Sequence, residues 1–183
     1  MNPLLPSDLG EPFYEGSVQQ LYAVPGDDSV MVTRTTSRGS VFDVGALFEI
    51  GGHDVNRALF RHVLYSRLAD PEVWGRVKEA IASAPELDAA YRTELMGPLL
   101  DRCCEHGART HHEGMLDAES GEVVRRGVPK HPSACNVVRK YQILKPERTR
   151  FLGTPLFDYA KFPHADGYVV PLEYIVRFGI TSA

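Results

Sequence analysis

Residues 13–35, FYEGSVQQLYAVPGDDSVMVTRT, divide into two β segments around VPGDDS, where Gly26, Asp27 and Asp28 are turn formers. The second segment, SVMVTRT, has the β-branched content that suits a pleated surface. The spacing predicts a hairpin whose first strand begins just after YEGS. The following stretch, RGSVFDVGALFEIGGHD, carries four glycines at 39, 45, 51 and 52. That density implies a backbone that turns tightly or passes close to something.

Beyond it the period changes. Val55, Leu59, Phe60, Val63, Leu64 and Leu68 recur at every third or fourth position and predict an amphipathic helix over 54–68. Asp70, Pro71 and Glu72 then supply a cap, a first-turn proline and a first-turn acid for a second helix bearing Val73, Trp74, Val77 and Ile81. A third helix is expected from Pro85 to His106, with Leu87, Tyr91, Leu95, Leu99 and Cys103 inward and Gly107 as its stop. Strand signals return in CNVVRKYQIL (135–144) and in the closing VVPLEYIVRFGITSA (169–183), with 146–167 as a Pro-, Gly- and His-bearing separator. Strands at both ends with helices between them imply an α+β fold rather than alternating βαβ units.

The closing strand raises a chemical question. Leu172, Tyr174, Val176 and Phe178 share one face, and Glu173, Ile175 and Arg177 the other. At the rise of a strand Glu173 and Arg177 lie roughly 13 Å apart, too far to pair with each other. A buried guanidinium must be paired, so each charge calls for its own partner.

A chain of 183 residues, 43% hydrophobic and 24% charged, suits one globular domain or one domain and a small lobe. A net charge of −4 gives no global electrostatic reason to bind nucleic acid or an anionic membrane. The start, MNPLLPSDLGEPF, does not read as a signal peptide, and no run reaches the roughly 18 apolar residues of a membrane helix. Three cysteines without framework spacing fit a reducing cytoplasm.

Three groups carry candidate chemistry. CCEHGARTHHEGMLD (103–117) is dense in Cys and His, but lacks C-x-x-C and H-x-x-x-H spacing, so it reads as a helix end followed by a polar loop rather than a zinc centre. YEGS has a glycine that lets backbone amides approach an anion, without the glycines and lysine of a P-loop. Arg139 and Lys140 stand side by side in an apolar strand, one facing each side of the sheet; anion binding and a solvated face are equally open.

Several stretches together resemble one family, the phosphoribosylaminoimidazole-succinocarboxamide (SAICAR) synthetases of purine biosynthesis. YEGSVQQLY resembles the opening Y-E-G-(K or S)-x-K-x-x-Y, and SVFDVG is similar to S-x-F-D. GGHDVNRALFRHVLY resembles the G-K-G stretch and its helix, and THHEGMLD the T-H-x-x-G-L-x-D loop. NVVRKYQILKPE is similar to the V-K-K strand, and VPLEYIVRFGI, the most specific of these, to P-L-E-x-x-x-R-x-G. The order and approximate spacing agree over nearly the whole chain.

The resemblance implies a SAICAR-synthase-like architecture, an N-terminal antiparallel β lobe with a helical insertion and a return to the sheet. It implies a cytoplasmic ligase, dependent on ATP and Mg2+, that joins a ribonucleotide carboxylate to an amino acid through an acyl phosphate. By the same resemblance Gly16, Ser17 and Gln19, with Arg139 and Lys140, would bind ATP, while Asp43, His53, Glu173 and Arg177 would hold the ribonucleotide substrate. No nucleic acid or membrane partner is implied, and a homo-oligomer is compatible with the helical faces. Catalytic residues are not identified.

The departures from the family pattern are specific. Ser17, Gln19 and His53 stand where lysines are usual, and His53 alone can regain a positive charge by protonation. In the family the closing strand continues into a serine turn and a half carrying the magnesium ligands, so residues 1–183 correspond to its N-terminal and central part. A non-catalytic or partner-completed nucleotide binder, an amide ligase with another substrate and, more remotely, a small zinc protein are the alternatives.

Overall fold

In the computed structural model, which describes residues 2–40, 45–143, 145–160, 162 and 168–169, the predicted hairpin forms from Gln19–Val24 (β2) and Asp27–Thr35 (β3). Tyr14–Glu15 (β1) pairs with β2 on its outer edge. Past Thr35 the glycine-rich stretch folds into a small hairpin of Arg38–Ser40 (β4) and Ala46–Glu49 (β5). The close approach implied by its glycines is present at Gly39, where an added Cβ would run into the Phe48 ring.

The chain separates into two compact units, 1–140 and 141–183. In the first, four helices follow β5: His53–Leu68 (α1), Pro71–Ser83 (α2), Ala89–Leu95 (α3) and Pro98–His106 (α4). The chain then returns to the sheet as His112–Asp117 (β6), Val123–Val124 (β7) and Pro132–Arg139 (β8). The order β1-β2-β3-β8-β6-β7 is antiparallel throughout, so strands from both sides of the helical insertion share one sheet. The fold class is α+β, as the sequence implies.

Strand alternation sorts this sheet into two buried faces. On one, Tyr22, Val24, Val32, Leu116, Cys135 and Val137 form the core, covered by Leu4 and Leu9 of the N-terminal segment. That segment is tied down by the Leu4 N–H donating to the Gly121 carbonyl at 2.9 Å. Across the other face lies α1, with Ala58 and His62 fully buried and the Asn136 amide donating to the Ala58 carbonyl at 3.1 Å.

The second helix begins as expected, with the Asp70 carboxylate accepting from the Glu72 N–H and Pro71 in the first turn. Trp74 Nε1 donates to the Leu68 carbonyl at 2.7 Å and ties α2 to the end of α1. The single helix expected over 85–106 is instead two. Pro98 lacks an N–H and drives Gly97 to extended backbone (φ −74°, ψ 178°), so one helix ends and Pro98 opens the next. The break also resets the buried stripe: Leu100 and Cys103 face inward, while Leu99 is 77% exposed and Tyr91 and Leu95 are also exposed. Leu100→Ala is accordingly expected to cost about 2 kcal/mol, and Leu99→Ala less than about 0.5 kcal/mol, in urea unfolding. Equal losses would restore the uninterrupted helix.

Two strand expectations also change. THHEGMLD, read as a polar loop, is mostly β6, whose Met115 and Leu116 are both fully buried. Its polar first half conceals the strand because His112 Nε2 and the Glu113 carboxylate are engaged by other elements. The strand expected over 135–144 ends at Arg139, so Arg139 and Lys140 do not occupy opposite faces of one strand. Lys140 lies past its end, its N–H donating to the Ser29 carbonyl at 2.8 Å.

In the second unit Gln142–Ile143 (β9) pairs in parallel with Tyr168–Val169 (β12). Glu147–Phe151 (β10) and Thr154–Asp158 (β11) make a hairpin inside the stretch read as a separator. Its turn residues Leu152 and Gly153 both have positive φ, 50° and 83°, which suits the twist of a two-residue connection. Of the expected closing strand 169–183, all but Val169 lies outside the described residues. Among those described, no helix is long and apolar enough to cross a membrane.

Candidate functional site

The YEGS turn closes tightly at one end of the sheet. The Gly16 N–H donates to the Gln19 carbonyl at 2.8 Å, which leaves the Ser17 and Val18 amides without a hydrogen bond among the described residues. Arg38 clasps the turn from β4. Its Nη2 donates to Glu15 Oε1 at 2.8 Å and to the Gly16 carbonyl at 3.3 Å, and its Nε to Thr36 Oγ1 at 3.4 Å. Arg57 of α1 reaches the Arg38 carbonyl at 3.4 Å and brings the helix start to the same place.

These elements surround a polar hollow of about 520 Å³ lined by Glu15, Gln20, Arg34, Thr36, Ser37 and Asp54, among others. Arg34 and Gln20 are cross-strand neighbours, and Arg34 makes no ion pair among the described residues. The Thr35 hydroxyl, also on the lining, is buried without a hydrogen-bond partner. The lining sets three carboxylates, Glu11, Glu15 and Asp54, against the one guanidinium of Arg34. An oxygen-rich anion would be held here by Arg34 together with a cation bridging it to the carboxylates of Glu11, Glu15 and Asp54.

The sequence-predicted residues are distributed unevenly about this hollow. Gly16 and Ser17 form its adjoining turn, and Gln19 lies in β2 opposite Thr35. His53 opens α1 beside Asp54 but lines a different groove, along α1, with Arg57, Phe60, Arg61, Leu64 and Tyr65. Arg139 pairs with Val30 on β3, five residues from Thr35, so it lies roughly 17 Å along the sheet from the turn. Asp43, Glu173 and Arg177 lie outside the described residues.

Arg139 has a structural engagement that the sequence does not disclose. Its Nε donates to Glu113 Oε1 at 2.8 Å, while Arg125 Nη1 donates to Glu113 Oε2 at 2.8 Å. Partial burial opposes ionisation of Glu113, but the two guanidiniums outweigh it and hold the carboxyl below its usual pKa. Much of the Arg139 charge is therefore balanced within the sheet.

Sequence reasoning missed two further groups. Arg34 gave no signal because it reads as the polar position of an alternating strand. His62 and His112 form a hydrogen bond of 2.8 Å between α1 and β6, and Tyr65 stacks on the His112 ring at 5.6 Å and meets the His111 ring edge-on at 5.1 Å. His112 was visible within a His-rich run, but its partner stands 50 residues earlier in a helix. Asp117, at the end of β6, is a turn organiser: it accepts from the Ser120, His131 and Glu119 N–H groups, which hold its carboxyl well below the usual range.

Compared with known proteins, the chain matches no family model and no curated sequence.

Proposed function

We propose that the chain is the N-terminal and central part of an ATP-dependent carbon–nitrogen ligase of the SAICAR synthetase type, acting in the cytoplasm on a ribonucleotide-like carboxylate and an amino acid. One observation carries the reading: Glu15 of the YEGS turn and Asp54 at the start of the GGHD helix line one polar hollow with Arg34, and Arg38 holds the turn through Glu15 and Gly16. Two of the stretches quoted for the resemblance, YEGSVQQLY and GGHDVNRALFRHVLY, contribute to its lining.

The chemistry asks for such a place. A carboxylate is a poor acyl donor; phosphorylation by ATP converts it to an acyl phosphate and releases ADP. The amine then attacks the carbonyl carbon, the C–O bond to phosphate breaks, and the ammonium proton is lost. Fixed donors are needed wherever phosphate charge shifts. In this chain the Ser17 and Val18 amides and the Arg34 and Arg38 guanidiniums would face the phosphates. ATP would supply the activating phosphoryl group. Mg2+ would draw on acidic ligands in the family's second half, with Glu15 and Asp54 as the nearest carboxylates in the hollow.

The test is release of ADP with ATP, Mg2+, carboxyaminoimidazole ribonucleotide and aspartate, omitting each in turn. Arg34→Ala is expected to lower turnover about 100-fold, the scale for loss of one preorganised donor, with an unchanged unfolding midpoint. No ADP release with any imidazole carboxylate and amine would overturn the reading.

A second reading, a non-catalytic or partner-completed nucleotide binder, is favoured by Ser17, Gln19 and His53 replacing lysines and by the Arg139 charge being balanced by Glu113. It expects nucleotide binding indifferent to Mg2+ and no turnover after Gln19→Lys with His53→Lys. Turnover in that double variant separates the two. An amide ligase with a different substrate pair would release ADP only with another carboxylate or amine.

A further inference from the structure

The outward face of α1 carries charge that nothing in the sheet explains. Arg57 and Arg61 stand four residues apart and so are neighbours on one helix face, where like charges repel. Neither forms an ion pair among the described residues, and Arg57 makes only a 3.4 Å bond to a backbone carbonyl. Arg61 is half-buried; desolvation lowers its pKa, Tyr65 opposes this, and Arg57 lowers it further. The surrounding imidazoles give no relief, because His111 and His112 are themselves held neutral by burial and by the Arg61 charge. A half-buried guanidinium is ordinarily paired, and Arg61 has no ion-pair partner among the described residues.

The same groove has an apolar wall. Phe60 is 71% exposed and Leu64 is 44% exposed, one turn apart, and with Tyr65 they border a space of about 470 Å³. That volume is in the range that holds a small organic molecule, roughly 300–1,000 Å³. Two forked guanidiniums on one side and exposed rings and aliphatics on the other define a ligand with a compact multi-oxygen anion on a flat apolar body. A phosphomonoester offers three terminal oxygens for two guanidiniums, whereas a carboxylate offers two.

We propose that the α1 groove is a binding site for an aryl phosphomonoester, with Arg57 and Arg61 on the phosphate and Phe60 and Leu64 against the ring. It is a different place from the polar hollow: His53 and Arg57 line the groove, while adjacent Asp54 lines the hollow. The proposal does not depend on the ligase reading.

Calorimetric titration of the full chain with phenyl phosphate, in the absence of ATP, tests it. Saturable one-to-one binding is expected, tighter than for inorganic phosphate and for benzoate. Arg61→Gln and, separately, Arg57→Gln are expected to weaken it at least tenfold, with Arg61→Lys recovering part of the loss. Phe60→Ser should remove the advantage of phenyl phosphate over inorganic phosphate. Arg148→Gln, in the second unit, should change nothing. Circular dichroism of each variant separates lost binding from lost fold, and Arg57→Gln serves if Arg61→Gln does not fold. The absence of saturable binding, binding unmoved by both arginine variants, or equal affinity for benzoate would each overturn the proposal.

Discussion

Gly107→Ala is expected to lower the free energy of unfolding by about 4 kcal/mol, the scale of a backbone that must move to relieve both strain and overlap. Gly107 ends α4 with φ 71° and ψ 168°, a region open essentially to glycine alone. An added Cβ would collide with the Ala69 backbone carbonyl, which cannot swing aside as a side chain would. Two bonds converge at this point: the Gly107 N–H donates to the Cys103 carbonyl and the Ala108 N–H to the Leu68 carbonyl, each at 2.8 Å. The substitution therefore disturbs the end of α4 and its joint with the end of α1 together. Gly75→Ala is the control, since nothing lies within 4 Å of a Cβ at that position inside α2. It should raise stability by about 0.5–1 kcal/mol through helix propensity. Urea unfolding reads both, and a loss below about 1 kcal/mol at Gly107 would show that the contact relaxes cheaply.

The second large effect is at His62. Its ring is fully buried, and Nε2 lies 2.7 Å from the Gly127 carbonyl, an acceptor, so Nε2 carries the proton. Nδ1 of the neutral ring must then accept from the His112 Nε2–H at 2.8 Å. His62→Ala removes a packed ring and leaves two polar partners unsatisfied, for an expected cost of about 3 kcal/mol.

The same arrangement makes stability fall with acid. Burial lowers the pKa of His62 against the opposing bond to Gly127. Burial likewise lowers that of His112, to about 4, with His62, His111 and Arg61 adding to the effect and Glu113 opposing it. The unfolded chain takes up these protons near pH 6.5 and the folded chain does not, so the contribution is intact above about pH 6.5 and is lost as pH falls toward 4. After allowance for the solvent that reaches part of the His112 ring, the loss is about 2 kcal/mol. Unfolding free energies at pH 7 and pH 5 measure most of it before the carboxylates titrate. A flat profile for the wild-type chain would mean that the pair accepts a proton without penalty, and His62→Ala should flatten the slope.

The correctly anticipated elements share a physical property: their signals are local. The hairpin at VPGDDS, the helix over 54–68, the Asp70–Pro71 start and the Gly107 stop each depend on residues a few positions apart. The failures arose where a distant group altered the meaning of a residue. HHEGMLD reads as a loop because His112 and Glu113 are polar, yet His112 Nε2 and the Glu113 carboxylate are bonded by side chains from α1, β8 and the β7–β8 connection. Pro98 was a local signal that the apolar repeat outweighed in the reading, although a proline preceded by glycine is a natural place to restart a helix.

For the candidate site the division is similar. Gly16 and Ser17 at a tight turn, and His53 at a helix start, could be picked out from residue type and order. That Arg38 holds the turn, that Arg34 makes no ion pair among the described residues, and that Arg139 is engaged by Glu113 could not, because each depends on strand register and, for Arg38 and Arg139, on partners up to 26 residues away in the chain. By itself the sequence determined the α+β class, the central helices and the hairpin, since propensity, period and capping act within a turn or two of the chain. Only the tertiary structure decided which charges are balanced and which have no ion pair among the described residues, because ion pairing falls off within a few ångströms and those distances are set by packing.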